Sequence, residues 1–333
     1  MPLRSERGPY CERIRFQGSL DVHDQRPIDS MLTLTAASSD AHTRSGVPSL
    51  QRKIAFLLRQ LRQRWRVWLL RRRPASLPLT GYDAGQPMPL IDRLSDEQLV
   101  ELNRMLDWNS FVVDGHGRRF GGAAWLRTAD KSERIPNKRT QLMHEAFNLD
   151  GRTVLEIGCF EGAHTLGLCR LGARVTAIDS RVENVVKAIV RTSLGGYQPR
   201  VFVCDVEQRP LPVELLSAEY CHHVGVLYHL VDPVTHIRDL GALISRGVLL
   251  DTHYARDDEA REHYAVEGES FGFRPYGEFG YRDVFSGMYD HAKWLTLPVI
   301  LTLLQRVGFA EIVKVETRVG THGARALILA RKA

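Results

Sequence analysis

A glycine turn between an apolar strand and a helix has the clearest chemical pattern in the sequence. Residues 154–165, VLEIGCFEGAHT, contain Gly158, Cys159 and Gly162, and the acid Glu156 comes just before the turn. Glycines let a backbone pass close to a ligand, and open α/β sheets bind ligands at the carboxyl ends of their strands. The pattern therefore predicts a nucleoside-cofactor site formed by Glu156, Gly158, Cys159 and Gly162.

Two acids farther along the chain would complete such a site. Asp179 ends a second apolar strand about 20 residues beyond the first glycine, where a carboxylate accepts hydrogen bonds from ribose hydroxyls. Asp205 follows a third strand, at the place where adenine would lie. Three strand ends that each carry a suitable group favour cofactor binding over a turn that needs glycine only for tightness.

The turn also bears on the kind of cofactor. A dinucleotide fingerprint reads G-x-G-x-x-G, and its glycines clear space for a pyrophosphate. Here the spacing is G-x-x-x-G, Phe160 stands where a central glycine would be, and Glu156 would repel a pyrophosphate. A carboxylate at that position suits a cofactor with an ammonium group. The sequence therefore favours S-adenosylmethionine over NAD.

These groups need a parallel sheet to bring them together. From Arg152 onward, apolar strands alternate with helical segments, which is typical of a doubly wound α/β sheet. Seven strands are predicted, at Thr153–Ile157, Arg174–Ile178, Arg200–Cys204, Ala218–His223, Gly247–Asp251, Glu311–Thr317 and Ala326–Ala330. Residues 252–294 are aromatic and polar, so we expect a lid over the acceptor there instead of a helical crossover.

Transfer of a methyl group from such a cofactor is an in-line displacement that needs alignment and often a base. The candidate bases lie in or after the fourth and fifth strands, and they are His222, His223, Tyr228, His229 and His253. A histidine at the mouth of the site could titrate near neutral pH. Since His222 and His223 alternate across their strand, one of the two could simply pack.

Residues from about 142 to 333 resemble the class I S-adenosylmethionine-dependent methyltransferases. The first motif of that family, acid-x-Gly-x-Gly-x-Gly, is matched by Glu156, Gly158 and Gly162 and departs at Phe160. Asp179 and Asp205 match the ribose-binding and adenine-binding acids. The resemblance implies a doubly wound, seven-stranded, mostly parallel sheet of the Rossmann-like methyltransferase type, with a helical N-terminal extension.

Residues 224–230, VGVLYHL, resemble the fourth motif in the form seen in the tRNA wobble-uridine carboxymethyltransferases, and residues 323–332 and Trp125 also resemble that group. The resemblance implies cofactor contacts for Val224 and Tyr228. Tyr228 and Arg325 match positions that contact the extra carboxylate of that group's cofactor. However, residues 106–111 match the neighbourhood of a cofactor-binding lysine and contain none. The comparison favours ordinary S-adenosylmethionine and leaves the carboxylated form open.

The N-terminal part of the chain is strongly basic, although the whole chain has a net charge of only +6. Residues 1–78 hold 15 Lys and Arg against 6 Asp and Glu. We expect disorder at 1–48, a basic amphipathic helix at 49–78, a cap region at 79–140 and the methyltransferase domain at 141–333. The apolar stripe within 50–73 could lie on a membrane surface, its arginines could bind RNA phosphates, or the stripe could pack on the domain.

Composition narrows the remaining choices. The five cysteines lack close C-x-x-C spacing, so we expect no metal and reduced thiols in a cytoplasmic, possibly membrane-associated, protein. No apolar run approaches the roughly 18 residues of a membrane-spanning helix. Three functions stay open: a methyltransferase acting on a small molecule or glycan precursor, a tRNA-modifying (carboxy)methyltransferase, and a non-catalytic nucleotide-binding module.

Overall fold

The computed structural model describes residues 87–122, 132–320 and 322–332, together with positions 54, 57, 58, 61 and 65. All of them belong to the unit Arg44–Ala333. The disorder expected at 1–48 and the resemblance at Trp125 lie outside the described residues.

The site is carried by a seven-stranded sheet. In chain order the strands of the described part are β1 Phe111–Val113, β2 Arg119–Gly121, β3 Thr153–Ile157, β4 Arg174–Asp179, β5 Arg200–Val203, β6 Ala218–Val224, β7 Ile244–His253, β8 Glu262–Val266, β9 Glu269–Gly277, β10 His291–Leu295, β11 Glu311–Gly320 and β12 Gly323–Arg331. The large sheet has the order β11-β12-β7-β6-β3-β4-β5. Strands β3 to β7 pair in parallel, and β11 and β12 are antiparallel. The predicted seven-stranded, mostly parallel sheet is confirmed.

The strand order creates a crevice at one edge of this sheet. The chain runs outward through β3, β4 and β5, then returns to the other side of β3 and continues with β6 and β7. At such a reversal, the loops that follow the two neighbouring strands leave in opposite directions and open a space for a ligand. The reversal lies between β3 and β6, so the loops after these two strands flank the crevice.

Some of the helices begin at a residue whose side chain caps them. The helices are α1 Asp96–Met105, α2 Lys138–Phe147, α3 Ala163–Arg170, α4 Val182–Leu194, α5 Val213–Leu216, α6 Pro233–Leu243 and α7 Leu297–Arg306. A full capping box starts α1, since the Ser95 hydroxyl accepts from the Gln98 N–H and the Gln98 side chain accepts from the Ser95 N–H. Asn137 caps α2 with its side-chain oxygen, which accepts from the Arg139 and Thr140 N–H groups.

The region before the large sheet is fixed to the glycine turn by a buried ion cluster. Glu161, directly after Phe160, accepts hydrogen bonds from the backbone N–H groups of Asn109 and Ser110, at 2.6 and 2.8 Å. Lys187 lies 3.2 Å from the same carboxylate, and both side chains are fully buried. A buried charge is tolerated only with such partners, so this cluster ties the cap region to the site.

Residues 252–294, whose composition argued against a helical crossover, contain a separate small sheet. Strands β8, β9 and β10 are antiparallel in the order β10-β9-β8, and β8 and β9 are joined by a tight turn at Glu267 and Gly268, both with left-handed backbone. The sheet is attached to the segment after β6, because the Trp294 indole N–H donates to the Tyr228 carbonyl at 2.9 Å. Their place over the acceptor stays a prediction.

Five described positions of the basic N-terminal segment are helical and exposed. These positions are Ile54, Leu57, Leu58, Leu61 and Trp65. The exposed fractions of their side chains range from 48% to 63%. They follow one another at the spacing of a single helix face. None of the helices in the described part of the chain has the length and hydrophobicity to cross a bilayer.

Candidate cofactor and acceptor site

The glycine turn lies tightly against its neighbours at the carboxyl end of β3. Gly158 and Gly162 both have left-handed backbone, with φ of 74° and 76°. A Cβ on Gly158 would lie 2.4 Å from the Val226 side chain, and one on Gly162 would lie 2.7 Å from the Ala188 backbone. Both positions therefore require glycine for conformation and for space.

Backbone hydrogen bonds hold this turn to β4. The N–H groups of Gly158 and Cys159 both donate to the Ile178 carbonyl at 2.9 Å. Cys159 is almost fully buried, and burial raises the pKa of its thiol, so the thiol is a packing group and its backbone is the part that shapes the turn.

Phe160 fills the position where the family motif has a glycine. Its backbone is left-handed, with φ of 50°, and its N–H donates to the Asp179 carboxylate at 3.0 Å. Its ring lies against the Phe285 ring, with centroids 5.6 Å apart. The departure from the motif thus supplies a contact between the glycine turn and the loop that precedes β10.

Asp179 lies at the centre of this edge. Its carboxylate accepts from the backbone N–H groups of Phe160 and Arg181 and from the Asn184 amide, at 2.9 to 3.0 Å. Burial raises the pKa of Asp179 and these donors oppose the rise. A carboxylate offers about four acceptor positions, so one is left for a ligand hydroxyl.

Arg181 connects Asp179 to the loop before β10. Its Nη2 lies within 3.3 Å of four carbonyl oxygens, those of Gly280, Asp283, Ser286 and Gly287. The side chain is 7% exposed. Arg181 was missed from the sequence, although its position two residues after Asp179 could have indicated that it lies near the site.

Asp205 and Val224 flank the same edge. Asp205 follows β5, and its carboxylate accepts from the Glu207 N–H at 3.0 Å, while the neighbouring Cys204 N–H donates to the Asp179 carbonyl. Val224 ends β6 opposite Asp251 of β7. The predicted cofactor residues are therefore placed along one continuous edge from β5 to β6.

Glu156 lies below the turn, in the interior. It is 1% exposed, and among the described residues no cation pairs with it. Burial raises its pKa to about 8. Glu156, His164 and His222 each bring one ligand-capable atom within 4.8 Å of the others. The sequence led us to expect no metal, and that expectation stays a prediction.

The structure places His222 and His223 inside β6, not at a pocket mouth. Both are fully buried. The His223 and His236 Nε2 atoms are 2.8 Å apart, and burial lowers the pKa of His223 to about 4. The His222 ring packs edge-on against the His164 ring. Both residues therefore make contacts inside the protein and pack there.

The other three candidate bases lie together after β6 and β7. The Tyr228 ring contacts the rings of His229 and His253, with centroids 4.1 and 4.7 Å apart. Burial lowers the pKa of His253 to about 4, with Arg325 adding to the effect. Burial raises the pKa of Tyr228 although Arg325 opposes it.

His229 has the partner that a general base needs. Its Nδ1 is 2.7 Å from the Glu278 carboxylate, and Glu278 is 3% exposed. A carboxylate at Nδ1 fixes the tautomer that leaves the Nε2 lone pair free to accept a proton. Glu278 was missed from the sequence because it lies 49 residues from His229.

Three arginines surround Asp251 of β7. They come from different elements: Arg139 from α2, Arg318 from β11 and Arg325 from β12. Burial would raise the pKa of Asp251, but Arg139 and Arg325 outweigh burial and hold it at about 2. Arg325 also lies over the Tyr228 ring, 5.5 Å from its centroid, so the cluster borders the candidate bases.

Comparison with known proteins agrees with this geometry. Residues 155–250 match the family described as methyltransferase domain. A tRNA U34 carboxymethyltransferase from Trichlorobacter lovleyi is 29% identical over 241 residues, or 70% of this chain and 65% of that protein. A ubiquinone biosynthesis O-methyltransferase from Xanthomonas euvesicatoria pv. vesicatoria is 31% identical over 167 residues, or 47% of this chain and 66% of that protein.

A solved structure shares the fold over most of the described chain. The N-terminal domain of EvdMO1 with SAH bound matches 73% of this chain and 98% of its own, with a TM-score of 0.60 and 23% identity. Residues 155–250 of this chain thus match a methyltransferase domain family, and the described body shares its fold with this neighbour. The chain spans 65% of the first relative and 45% and 49% of two further tRNA U34 carboxymethyltransferases.

The burial of Glu156 predicts a pH-dependent stability. Its pKa is about 8 in the folded protein and 4.5 ordinarily, so the folded state retains a proton that the unfolded chain releases. The free energy of unfolding should fall between about pH 5 and pH 8, by at most ~1.4 kcal/mol per pH unit. Glu156→Gln should lack this component.

Thermal melting from pH 5 to 8 measures the effect. The melting temperature of Glu156→Gln relative to the wild type should rise with pH, whereas Glu145→Gln, on an exposed position of α2, should show a constant difference. A constant difference for Glu156→Gln as well would show that Glu156 is ionised in the folded protein.

Proposed function

We propose that this chain is an S-adenosylmethionine-dependent methyltransferase that uses the ordinary cofactor and methylates a small molecule. The observation that carries the proposal is the edge formed by Gly158, Gly162 and Asp179. There, two obligatory glycines open the backbone, and a largely buried carboxylate keeps an acceptor position for a ribose hydroxyl.

The cofactor would occupy the half of the edge over β3, β4 and β5. Its ribose would meet Asp179, its adenine would lie near Asp205, and its ammonium end would lie toward Glu156. When bound, S-adenosylmethionine supplies the methyl group on its sulfonium. The chain's own part is to hold the cofactor and orient the acceptor beside it.

The acceptor would occupy the other half, over β6 and β7. An aromatic stack lies on that side: the buried Trp294 ring is stacked on the His253 ring at 5.2 Å and on the Tyr276 ring at 4.5 Å. The partly exposed rings at the two ends of this stack would suit a planar ring or the apolar face of a sugar. A fold relative, the N-terminal domain of EvdMO1, was crystallised in the presence of SAH and D-fucose.

Ordinary S-adenosylmethionine fits this acceptor side better than the carboxylated form. Arg325, which would contact an extra carboxylate, donates through Nε to Asp251, contacts His253 at 3.4 Å and is only 18% exposed. No lysine occurs at 106–111. The tRNA U34 carboxymethyltransferase relatives and the basic N-terminal segment keep tRNA modification as the second candidate.

Cofactor binding can be tested without knowing the acceptor. Asp179→Asn keeps the size of the side chain but removes its charge, so the affinity for S-adenosylhomocysteine should fall about tenfold or more, since a hydrogen bond to a charged group contributes about 1.5–3 kcal/mol. Calorimetry on Asp179→Asn, on the wild type and on the exposed control Asp92→Asn checks this. No binding by the wild type, or equal binding by Asp179→Asn, would defeat the proposal.

Among the candidate bases, the pair His229 and Glu278 best fits proton removal from the acceptor. Once labelled cofactor has revealed an acceptor in cell extract or tRNA, His229→Gln and Glu278→Gln should each lower kcat by about 10²-fold to 10⁴-fold. The double variant should be little worse than either single one, because the two side chains act together. Affinity for S-adenosylhomocysteine should not change.

The control for that pair is His263→Gln, at an exposed position of β8. It should keep wild-type turnover. If His229→Gln also keeps wild-type turnover while Tyr228→Phe or His253→Gln does not, the base is one of those residues and the His229 assignment is wrong.

We also propose that the basic N-terminal helix lies on an anionic membrane surface in a cytoplasmic protein. Its five described apolar side chains are about half exposed or more, so they are not packed in the domain's interior. The sequence around them has no acid between Asp40 and Asp83 and many arginines. An exposed Leu and Trp face beside uncompensated arginines has the composition of an interfacial helix.

Vesicle sedimentation tests this contact with the full chain. The wild type should sediment with phosphatidylglycerol vesicles more than with phosphatidylcholine vesicles, and Leu57→Ser with Leu61→Ser should abolish the difference. Val319→Ser removes an apolar group that is even more exposed, 86% in β11, and should have no effect. Salt-dependent tRNA binding that the leucine changes leave intact, without vesicle binding, would assign the segment to RNA.

A further inference from the structure

The cluster around Asp251 holds more positive charge than Asp251 needs. The Asp251 side chain is fully buried, and one of its oxygens accepts from the Arg139 Nε and the other from the Arg325 Nε. Arg318 bridges both oxygens at 3.1 Å. One carboxylate thus meets three guanidinium groups.

The titratable groups around the cluster do not offset this excess. His164 and His253 are neutral at neutral pH, since burial lowers the pKa of each to about 4. Burial keeps Tyr228 protonated by raising its pKa, and Glu156 has a pKa raised to about 8.

The other acids near the cluster have their own hydrogen-bonding or ion-pair partners. Glu278 lies within electrostatic range of Tyr228 and is hydrogen-bonded to His229. Glu316 faces Arg318 from the surface of β11 and pairs with Lys314 at 2.8 Å. At Asp251 itself, among the described residues, three guanidinium groups therefore face one carboxylate, which is two more than its charge needs.

The guanidinium groups also keep unused donors that solvent can reach. A guanidinium has five N–H groups, and Asp251 uses only the Nε of Arg139 and one terminal nitrogen of Arg318. The Arg139 and Arg318 side chains are 33% and 45% exposed, whereas that of Arg325 is 18% exposed and contacts His253 at 3.4 Å.

This excess charge lies in the acceptor half of the edge. Asp251 pairs with Val224 across β6 and β7, and Arg325 pairs with His253 across β12 and β7. A single arginine would neutralise Asp251. Three of them, with two still open to solvent, form a geometry suited to a planar or tetrahedral oxyanion.

We propose that Arg139 and Arg318 bind an anionic group of the acceptor, and that Asp251 positions their guanidinium groups. The acceptor would then be an acidic small molecule that carries a carboxylate or a phosphate monoester beside the atom that is methylated. This inference rests on the proposed methyltransferase function. It concerns the acceptor and is separate from the cofactor contacts of Tyr228 and Arg325.

Two simple anions serve as probes of the site in the full chain saturated with S-adenosylhomocysteine. Benzoate carries a carboxylate and phenyl phosphate carries a phosphate, so calorimetric titration with each distinguishes the two sources. We expect one of them to bind saturably in a salt-dependent manner. Arg139→Gln and Arg318→Gln should each weaken its binding about tenfold, while the affinity for S-adenosylhomocysteine stays unchanged.

Two further variants keep the test independent of folding. Arg318→Lys retains the charge but loses the two-pronged geometry, so it should bind the anion with intermediate affinity. Arg306→Gln removes an exposed arginine that pairs with Glu269 on the surface and should bind as the wild type does. Melting curves show whether each variant still folds stably with Asp251 buried.

Several outcomes would overturn the inference. The first is that neither anion binds the wild type. The second is that the glutamine variants melt at a lower temperature but bind the anion as the wild type does, which would mean that the arginines only stabilise Asp251. The third is that the affinity for S-adenosylhomocysteine falls together with anion binding, which would mean that the arginines bind the cofactor. If tRNA displaced the anion, the acceptor would be RNA instead of a small molecule. Failure of the wild type to bind S-adenosylhomocysteine would defeat the methyltransferase proposal itself, and anion binding would still be measured on the unliganded protein.

Discussion

The carboxylate of Asp179 is the contact on which the whole edge depends. It accepts from the backbone of Phe160 and Arg181 and from the Asn184 amide, so it holds the glycine turn, the start of α4 and the end of β4 in one arrangement. Arg181 extends this arrangement to the loop before β10 through four carbonyl oxygens. A change at Asp179 would therefore alter the turn and the small sheet together.

The two halves of the edge differ in their chemistry. The half over β3 to β5 is formed by backbone N–H groups and the acids Asp179 and Asp205, which suits the hydroxyls of a ribose. The half over β6 and β7 has aromatic rings, the His229 and Glu278 pair and the arginines around Asp251. Fixed groups of this kind can orient an acceptor at little further cost, because few side chains need to be ordered.

Local patterns made the cofactor half predictable. The turn at Gly158 and Gly162 and the acid at Asp179 depend on residues a few positions apart, and the structure has both where the sequence predicted them. The acceptor half depends on distant pairs: Arg139 lies 112 residues from Asp251, and Arg318 lies 67 residues from it. The alternation of side chains along β6 places His222 and His223 on opposite faces of the sheet. Because both faces are covered, alternation could not show whether either side chain reaches a pocket.

The assignment of the two halves of the edge depends most on where the cofactor binds. A crystal structure of the complex with S-adenosylhomocysteine measures this directly. We expect the ribose hydroxyls within hydrogen-bonding distance of the Asp179 carboxylate, the adenine beside Asp205 and the sulfur directed toward Tyr228. A ligand bound away from Asp179, or a pyrophosphate-containing dinucleotide that occupies this edge in its place, would contradict the assignment.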